Sequence, residues 1–187
     1  VYAIYPEILQ KVASIATNEN LILCKRKQDT IPQSLMDFMN IKNPYKVIRT
    51  NFETDSLSSV AIAKDPKNPN NRVGVVEENN EYAFSQDFEK EIGSDLSARV
   101  LKVKGKMLFQ NENQLALVIA YSQGNELSFY QTIELNAELK TNEWMEKEFI
   151  IFLPKRGSTK DKLSFYIHNP NKNTVLLDDF EFRFYKN

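Results

Sequence analysis

Lysine and apolar residues alternate along residues 98–109, and this period of two predicts a β-strand. Leu101 and Val103 fall on one side of the alternation, and Lys102 and Lys104 fall on the other. An α-helix cannot bury all the apolar members of such a pattern on one side, because its side chains repeat about every 3.6 residues. The pattern therefore indicates a strand with one face on the core and the other in water.

Alternation and short apolar runs recur through the rest of the chain. Residues 115–121 are apolar at nearly every position, which favours a central strand that is covered on both faces. The other predicted strands are 73–76, 82–88, 129–135, 149–153, 163–167 and 176–184. Polar turn residues separate these segments at short intervals, and none of the segments has a convincing helical pattern. This succession is typical of an antiparallel β-sandwich.

The N-terminal part of the chain has a mixed pattern. Apolar residues recur at helical spacing over residues 6–17 and predict an amphipathic helix. Residues 21–24 form a short apolar run, which predicts a strand. A second short helix is predicted over residues 32–39, and a linker at 42–45 contains an Asn-Pro pair that ends it.

Charge and aromatic content divide the chain near Thr50. Residues 1–50 contain seven basic and four acidic side chains, whereas residues 51–187 contain 17 and 21. Most of the aromatic residues follow the boundary, as expected for a sheet-rich region. We predict a mixed helix and strand segment at 1–50 and a mainly β domain, an antiparallel β-sandwich, at 51–187.

The overall composition excludes several classes of function. The 187 residues are 42% hydrophobic and 26% charged, which is enough to bury one sizeable core. The net charge of -1 provides no positive field that would gather nucleic acid or anionic lipid. One histidine, one cysteine and five glycines exclude a multi-histidine zinc site, a disulfide framework and glycine-rich phosphate loops. Binding is the main class of function that remains.

Four short motifs follow one another in an order that resembles a known family. They are Asn51-Phe52-Glu53, Trp144 ahead of Phe152-Leu153-Pro154, Phe165-Tyr166-Ile167-His168-Asn169-Pro170, and Leu177-Asp178-Asp179-Phe180. Their order and spacing resemble the jelly-roll carbohydrate-binding modules with a galactose-binding-like β-sandwich, over residues 51–187. The chain is also similar to extracytoplasmic domains of bacterial membrane proteins in which the same sandwich has no demonstrated sugar. The resemblance implies two facing antiparallel sheets and a glycan face with exposed aromatic rings.

The resemblance also implies a structural Ca²⁺ that is shared by a glutamate near the first strand and an aspartate in the last strand. Glu53 and Asp178 or Asp179 match those positions. First and last strands commonly pair in a Greek-key sandwich, and backbone carbonyls would have to complete the coordination of the ion. Continuous alternation places Asp178 on the core side with Phe180, and Asp179 on the other side. The alternative is that the two aspartates end a turn and are solvated, and the sequence leaves both open.

A glycan face requires aromatic side chains on the wet side of an alternating strand, because sugar rings stack on aromatic rings while polar neighbours bind hydroxyl groups. Tyr130 and Tyr166 follow the core-facing Phe129 and Phe165, so both tyrosines are predicted on the outer side. The complete predicted ligand-binding set is Tyr130, Tyr166, Trp144, Gln131, His168 and Asn169.

Three further aromatic positions leave alternatives. Trp144 either packs in the core or contacts the ligand, and its position after a polar loop, where similar modules often use tryptophan for packing, favours the core. Tyr82 is a further candidate for the glycan face. Tyr121 aligns with Leu117 and Ile119, so we predict that it is buried.

Catalysis is not predicted for this chain. His168 is the single histidine, so a Ser-His-Asp arrangement would have to include it, and no G-x-S-x-G motif is present. The resemblance then implies a non-catalytic carbohydrate-binding module of a bacterial envelope or secreted protein, with an extracytoplasmic location. The alternative is a structural or protein-interaction domain of a membrane protein that has no sugar site.

We expect such a module to be tethered to a membrane or to a larger protein through a region before Val1. The sequence leaves the glycan and the oligomeric state open.

Overall fold

The computed structural model of the chain describes residues 12–18, 21–26, 33–38, 40–53, 60–88, 98–111, 115–123, 126–135, 140–153 and 161–186. Within these ranges, α1 (Gln33–Phe38) is six residues long, and no helix is long and apolar enough to cross a membrane. The strands are β1 (Val12–Asn18), β2 (Leu21–Arg26), β3 (Lys46–Thr50), β4 (Ala61–Lys64), β5 (Arg72–Val76), β6 (Tyr82–Asp87), β7 (Ala98–Phe109), β8 (Ala116–Gln123), β9 (Glu126–Glu134), β10 (Trp144–Phe152), β11 (Lys162–His168) and β12 (Val175–Lys186).

β12 is the central strand of the larger of two sheets. This six-stranded sheet has the order β10-β7-β12-β5-β4, and β3 pairs with β12 as a further neighbour. β7 pairs with one edge of β12, while the other edge pairs with β5 as far as Leu177 and with β3 from Phe180 onward. All of these pairs are antiparallel. The sequence pattern does not predict β3 and β4, because both strands are short and lack a clear alternation.

A second sheet of four antiparallel strands has the order β6-β11-β8-β9 and packs against the first through aromatic rings. Phe180 of β12 contacts Phe84 of β6 with 4.5 Å between ring centroids. Phe182 meets Phe165 of β11 at 5.0 Å. These rings are fully buried, so the core lies between the two sheets and the predicted antiparallel β-sandwich is confirmed.

The helix predicted over residues 6–17 is wrong where the structure describes it, and residues 6–11 lie outside the described residues. From Val12 onward the chain forms β1, which pairs antiparallel with β2 along its length. Ile15 and Thr17 are β-branched, which favours an extended backbone. A neighbouring strand satisfies the backbone of such a segment, whereas a short helix needs a packed face to be stable.

The short helix α1 covers one end of the outer face of the six-stranded sheet. The strand predicted at 21–24 and the helix predicted at 32–39 are confirmed by β2 and α1. Lys102 Nζ donates to Gln33 Oε1 at 3.0 Å. The six-stranded sheet and the helix that packs on it therefore contain residues from both sides of the predicted boundary near Thr50. The apolar cluster beneath the helix consists of Met36, Ile41, Val100, Ile150 and Tyr185.

β12 contains a β-bulge between Asp178 and Glu181. Asp179 and Phe180 together face the single β7 residue Gly105, and Asp179 has a left-handed φ of 49°. An extra residue in one strand displaces the alternation by one position. The residues of β12 that face the core are therefore odd-numbered before the bulge and even-numbered after it.

The bulge corrects the predicted orientation of Asp178. Val175 and Leu177 face the core before the bulge, and Phe180 faces it afterwards. Asp178 does not share the core side with Phe180, because the alternation is interrupted between them. It lies on the outer face of the six-stranded sheet, as Leu176 does, and is 6% exposed.

Gly105 leaves the space that the Phe180 ring occupies, since a Cβ atom at position 105 would lie 2.7 Å from Phe180 Cε1. We expect Gly105→Ala to lower the free energy of unfolding by about 1–3 kcal/mol, because the ring must leave its place in the core. Chemical denaturation measures this loss. Lys104→Ala is the matched control on the outer face of the same strand, where an exposed ion pair contributes at most about 1 kcal/mol. Equal small losses in both variants would contradict the packing of Phe180 over Gly105.

Candidate functional site

Three tyrosines and the single histidine lie on the outer face of the four-stranded sheet. Tyr82 comes from β6, Tyr166 and His168 from β11, and Tyr130 from β9. We call these four residues the tyrosine surface. The alternation of β11 positions its two members, because the intervening side chains are buried in the core, namely Leu163, Phe165 and Ile167.

The rings of the tyrosine surface contact one another near the β6 edge of the sheet. Tyr82 stacks on His168 with 4.9 Å between centroids and 13° between ring planes. Tyr82 also meets Tyr166 edge to face at 5.8 Å. Such contacts stabilise the relative positions of aromatic rings. Tyr82 nevertheless remains 60% exposed, so its ring is open to a ligand.

A hydrogen bond joins the hydroxyl groups of Tyr166 and Tyr130 across β8. The β8 residues that pair with these tyrosines are Val118 and Ala120, whose short side chains leave room for the two phenols to meet above the strand. Burial, and then the hydrogen bond with Tyr130, raise the pKa of Tyr166 to about 12. Tyr130 is 51% exposed and therefore presents much of its ring to solvent.

Charged side chains border the tyrosine surface at two ends. At one end the carboxylate of Glu81 lies 3.6 Å from His168 Nε2 and 3.9 Å from Lys172 Nζ. At the other end Asp87 pairs with Lys162 Nζ at 2.8 Å. The middle of the surface is formed by rings, and the polar groups lie around it.

The structure brings three predicted ligand-binding residues together, Tyr130, Tyr166 and His168, and buries two others. Gln131 follows Tyr130 in β9, so alternation turns it to the core side, where it is 4% exposed. Asn169 is fully buried after the end of β11, and its amide donates to a carbonyl of the following turn at 2.8 Å. The expectation that Gln131 and Asn169 are surface companions of the rings is therefore corrected.

Trp144 lies on the other sheet, away from the tyrosine surface. It begins β10 and is half-buried against a small apolar cluster on the outer face of the six-stranded sheet. Its indole N–H donates to Asp65 Oδ1 at 3.2 Å. Trp144 thus packs outside the main core, against Val73, Leu108 and Leu176.

A cleft of about 360 Å³ lies beside Trp144, and we call it the Trp144 cleft. A neighbouring cleft of about 410 Å³ shares two of its residues and is bordered by ion pairs, which include Lys104 with Glu146 at 2.9 Å. The six-stranded sheet therefore has a mixed aromatic and polar site at one end of its outer face and an ionic surface in the middle. The residues that line the Trp144 cleft are Asp65, Asn68, Asn71, Lys106, Trp144, Asp178 and Asp179.

Sequence reasoning missed Asp65 and Asn71, which organise this cleft. Asn71 Nδ2 donates to Asp178 Oδ2 at 2.9 Å and to Asp65 Oδ2 at 3.4 Å. Burial raises the pKa of Asp178. Burial also acts to raise the pKa of Asp65, but hydrogen bonds from Lys67, Trp144 and Asn71 outweigh it and lower that pKa. The only sequence signal is a polar turn rich in proline and asparagine, which predicts a loop and not a site.

The residues predicted to share calcium each have a protein donor as partner. Glu53 Oε1 accepts the backbone N–H of Arg72 at 2.7 Å, and Asp179 Oδ2 pairs with Lys106 Nζ at 2.6 Å. Asp178 accepts the Asn71 amide. Across the described ranges, no group of three or more His, Cys, Asp or Glu side chains is arranged to hold a metal ion. Calcium binding stays a prediction, which a rise in Tm on adding calcium to EDTA-treated protein would support.

Comparison with known proteins places the fold. No family model matches the chain, and no curated protein sequence matches it. The CBM22-1 xylan-binding domain from Paenibacillus barcinonensis Xyn10C is similar in structure, with a TM-score of 0.55 and 15% identity over 78% of this chain and 98% of that domain. The CBM22-1-CBM22-2 tandem domain of the same protein gives a TM-score of 0.56 and 18% identity over 78% of this chain and 46% of the tandem.

An arabinose-bound MgGH51 α-L-arabinofuranosidase is also similar, with a TM-score of 0.53 and 11% identity over 75% of this chain and 27% of the enzyme. At these identities the similarity shows the fold alone. The resemblance inferred from the sequence motifs is confirmed at that level, because the chain has the jelly-roll β-sandwich fold of carbohydrate-binding modules.

The contact between Tyr130 and Tyr166 predicts a titration that can be measured. We expect Tyr166 to ionise near pH 12 in a ¹³C-tyrosine NMR titration, and its pKa to fall in Tyr130→Phe because the hydrogen bond is lost. The folded-state pKa is raised above the unfolded value of about 10. The stabilisation from Tyr166 is therefore complete below pH 10 or so and is lost as the pH rises through about 12.

Tyr185→Phe on the six-stranded sheet is the control for this titration, and it should leave the pKa of Tyr166 unchanged. An unchanged pKa of Tyr166 in Tyr130→Phe would contradict the hydrogen bond.

Proposed function

We propose that this chain is a non-catalytic carbohydrate-binding module that binds a polysaccharide on the tyrosine surface. The observation that carries this function is the set of exposed rings on one sheet face, where Tyr82 is 60% and Tyr130 is 51% exposed. In the part of the chain that the structure describes, Leu127 is the one other large hydrophobic residue with such exposure. The fold shared with a xylan-binding domain supports the same class of ligand.

The surface suits a sugar chain that lies flat across the strands. The β8 residues between β11 and β9 are short, so no long side chain separates the rings of the two strands. The C–H groups of a sugar ring stack on aromatic faces, and hydroxyl groups form hydrogen bonds at the margins. Ser164 Oγ, which donates to Asp87 at 2.7 Å, lies at such a margin next to the rings.

The charges around the tyrosine surface favour a neutral glycan. The acidic residues Glu81, Asp87 and Glu134 lie in or beside the strands of this sheet, and Lys162 and Lys172 partly balance them. Among the described residues of this face, a ligand rich in carboxylates or sulfates would meet no excess of positive charge. A neutral polysaccharide requires no such excess, because ring stacking and hydroxyl hydrogen bonds supply its contacts.

The proposed function includes an extracytoplasmic setting, at a bacterial envelope or in a secreted protein. Structural polysaccharides such as xylan are polymers of the cell exterior, so a module that binds one has to meet it there. A protein partner is the alternative ligand for the same face, and the exposed Leu127 of β9 is the feature that favours it.

Affinity electrophoresis in gels that contain xylan or another neutral plant polysaccharide tests this function. Isothermal titration with xylohexaose then gives the Kd. We expect the double variant Tyr82→Ala/Tyr130→Ala to bind about tenfold more weakly or worse, because two exposed rings no longer stack on the sugar. Circular dichroism and Tm show that the variant remains folded, as expected for two exposed positions.

Leu127→Ala is the matched control, since it removes an exposed apolar side chain from the same sheet without removing a ring. It should bind as the unmodified chain does. Equal weakening in Leu127→Ala would contradict ring stacking and favour a general apolar surface. If the folded, unmodified chain bound none of the polysaccharides tested in the gels, the proposed carbohydrate-binding function would be wrong. The protein-interaction alternative would then remain.

A further inference from the structure

The Trp144 cleft has the components of a small-ligand site on the sheet opposite the tyrosine surface. An indole ring, two carboxamides, three carboxylates and one ammonium group surround about 360 Å³. Ligand sites in proteins typically combine an apolar or aromatic wall with a few convergent polar groups in clefts of roughly this size. We propose that the Trp144 cleft is a second sugar-binding site, which takes one neutral sugar unit and acts independently of the tyrosine surface.

The aromatic wall of the cleft is held in place before any ligand arrives. The Trp144 indole N–H is bound to Asp65 Oδ1, and the ring rests on the apolar cluster that includes Leu108. Both contacts restrict the rotamer of the side chain. A ring that is already fixed loses little conformational freedom when a sugar stacks on it, which favours binding.

The polar wall of the cleft has capacity for hydroxyl donors. Asp178 is 6% exposed and accepts hydrogen bonds from the Asn71 amide and from the backbone N–H of Asp179. An ionised carboxylate can accept about four hydrogen bonds, so these two donors do not saturate it. Sugar hydroxyl groups are donors of the kind that such a buried carboxylate binds.

The cleft lies where one edge of β12 changes its pairing partner. β5 pairs with β12 as far as Leu177, and β3 pairs with it from Phe180, so the same edge is left open at the bulge between them. Asp178 and Asp179 occupy this opening.

The charge of the cleft sets the class of sugar. Asp65, Asp178 and Asp179 face a single ammonium group, that of Lys106, which lies 2.6 Å from Asp179 Oδ2. Carboxylates in excess favour hydroxyl donors and repel anions. The site should therefore accept a neutral sugar and discriminate against a uronic acid.

The single tryptophan of the chain makes this site separately observable, because indole fluorescence reports on the Trp144 cleft alone. The test uses the Tyr82→Ala/Tyr130→Ala variant of the full chain, in which binding at the tyrosine surface is weakened. It is titrated with xylose, arabinose, galactose and glucose, and with glucuronic acid as the anionic counterpart. We expect a saturable change in emission, and protection of Trp144 from acrylamide quenching, with at least one neutral sugar.

Two cleft variants and one distant control sharpen the result. Asp178→Asn replaces one carboxylate oxygen of the cleft with an amide NH2 group. Asn68→Ala removes an exposed carboxamide of the cleft, whose Oδ1 also accepts the backbone N–H of Asn70 at 3.3 Å. Circular dichroism checks that both variants remain folded. Asp178→Asn should raise the Kd for the sugar about tenfold, the ratio that one lost hydrogen bond to a charged group gives, and Asn68→Ala should raise it about fivefold, as for a neutral hydrogen bond. Asp87→Asn lies at the tyrosine surface and should leave the response unchanged.

Three results would overturn the second site. The first is the absence of a saturable response to every neutral sugar at millimolar concentration in the folded chain. The second is a response that Asp178→Asn and Asn68→Ala leave intact, which would show binding elsewhere. The third is a response that is present in the unmodified chain and lost in Tyr82→Ala/Tyr130→Ala, which would assign it to the tyrosine surface. Loss of polysaccharide binding at the tyrosine surface would leave the proposal standing.

Discussion

The packing of the β12 phenylalanines against the four-stranded sheet is the contact on which the rest of the structure depends. Burial of each such ring contributes about 1.5–3 kcal/mol. The same strand pairs with β7, β5 and β3, so it also organises the larger sheet. Because stability is concentrated between the sheets, their outer faces are free to carry other chemistry. The rings involved are Phe180, Phe182 and Phe184 of β12 and Phe84, Phe88 and Phe165 of the opposite sheet.

The bulge at Asp179 is a consequence of that packing. Leu177 and Phe180 are three positions apart and both face the core, which uninterrupted alternation would not allow. One extra residue in β12 shifts the alternation by one position, so that Phe180 also faces the core. Gly105 on the neighbouring strand leaves space for the Phe180 ring. Before the bulge, the core-facing Leu177 leaves Asp178 on the outer face. The packing of the core therefore also positions a carboxylate at one end of that face.

Alternation along single strands was enough to predict much of the candidate site. Tyr166 is outward because its neighbours are core residues, and Tyr121 is buried as its spacing indicates. The local sequence pattern does not predict a side chain's position where that position depends on pairing between strands. Nothing near Asp178 in sequence reveals the bulge, because Leu176 and Leu177 are both apolar and either could face inward. The position of Trp144 depends on its pairing with Leu108 of β7, a contact between residues distant in sequence.

The two outer faces of the sandwich carry different kinds of side chain. Cross-strand ion pairs such as Lys102 with Glu148 cover the middle of the six-stranded sheet. Each pair adds only a small amount to the stability of the fold, because its charges are close to water. The four-stranded sheet instead presents rings with a hydroxyl group. Phe165 and Tyr166 are neighbours in β11 and differ by one oxygen, and that oxygen allows Tyr166 to sit at the wet surface beside Tyr130. In β11 the phenylalanine lies inside, where it holds the sheets together, and the tyrosine lies outside, on the tyrosine surface.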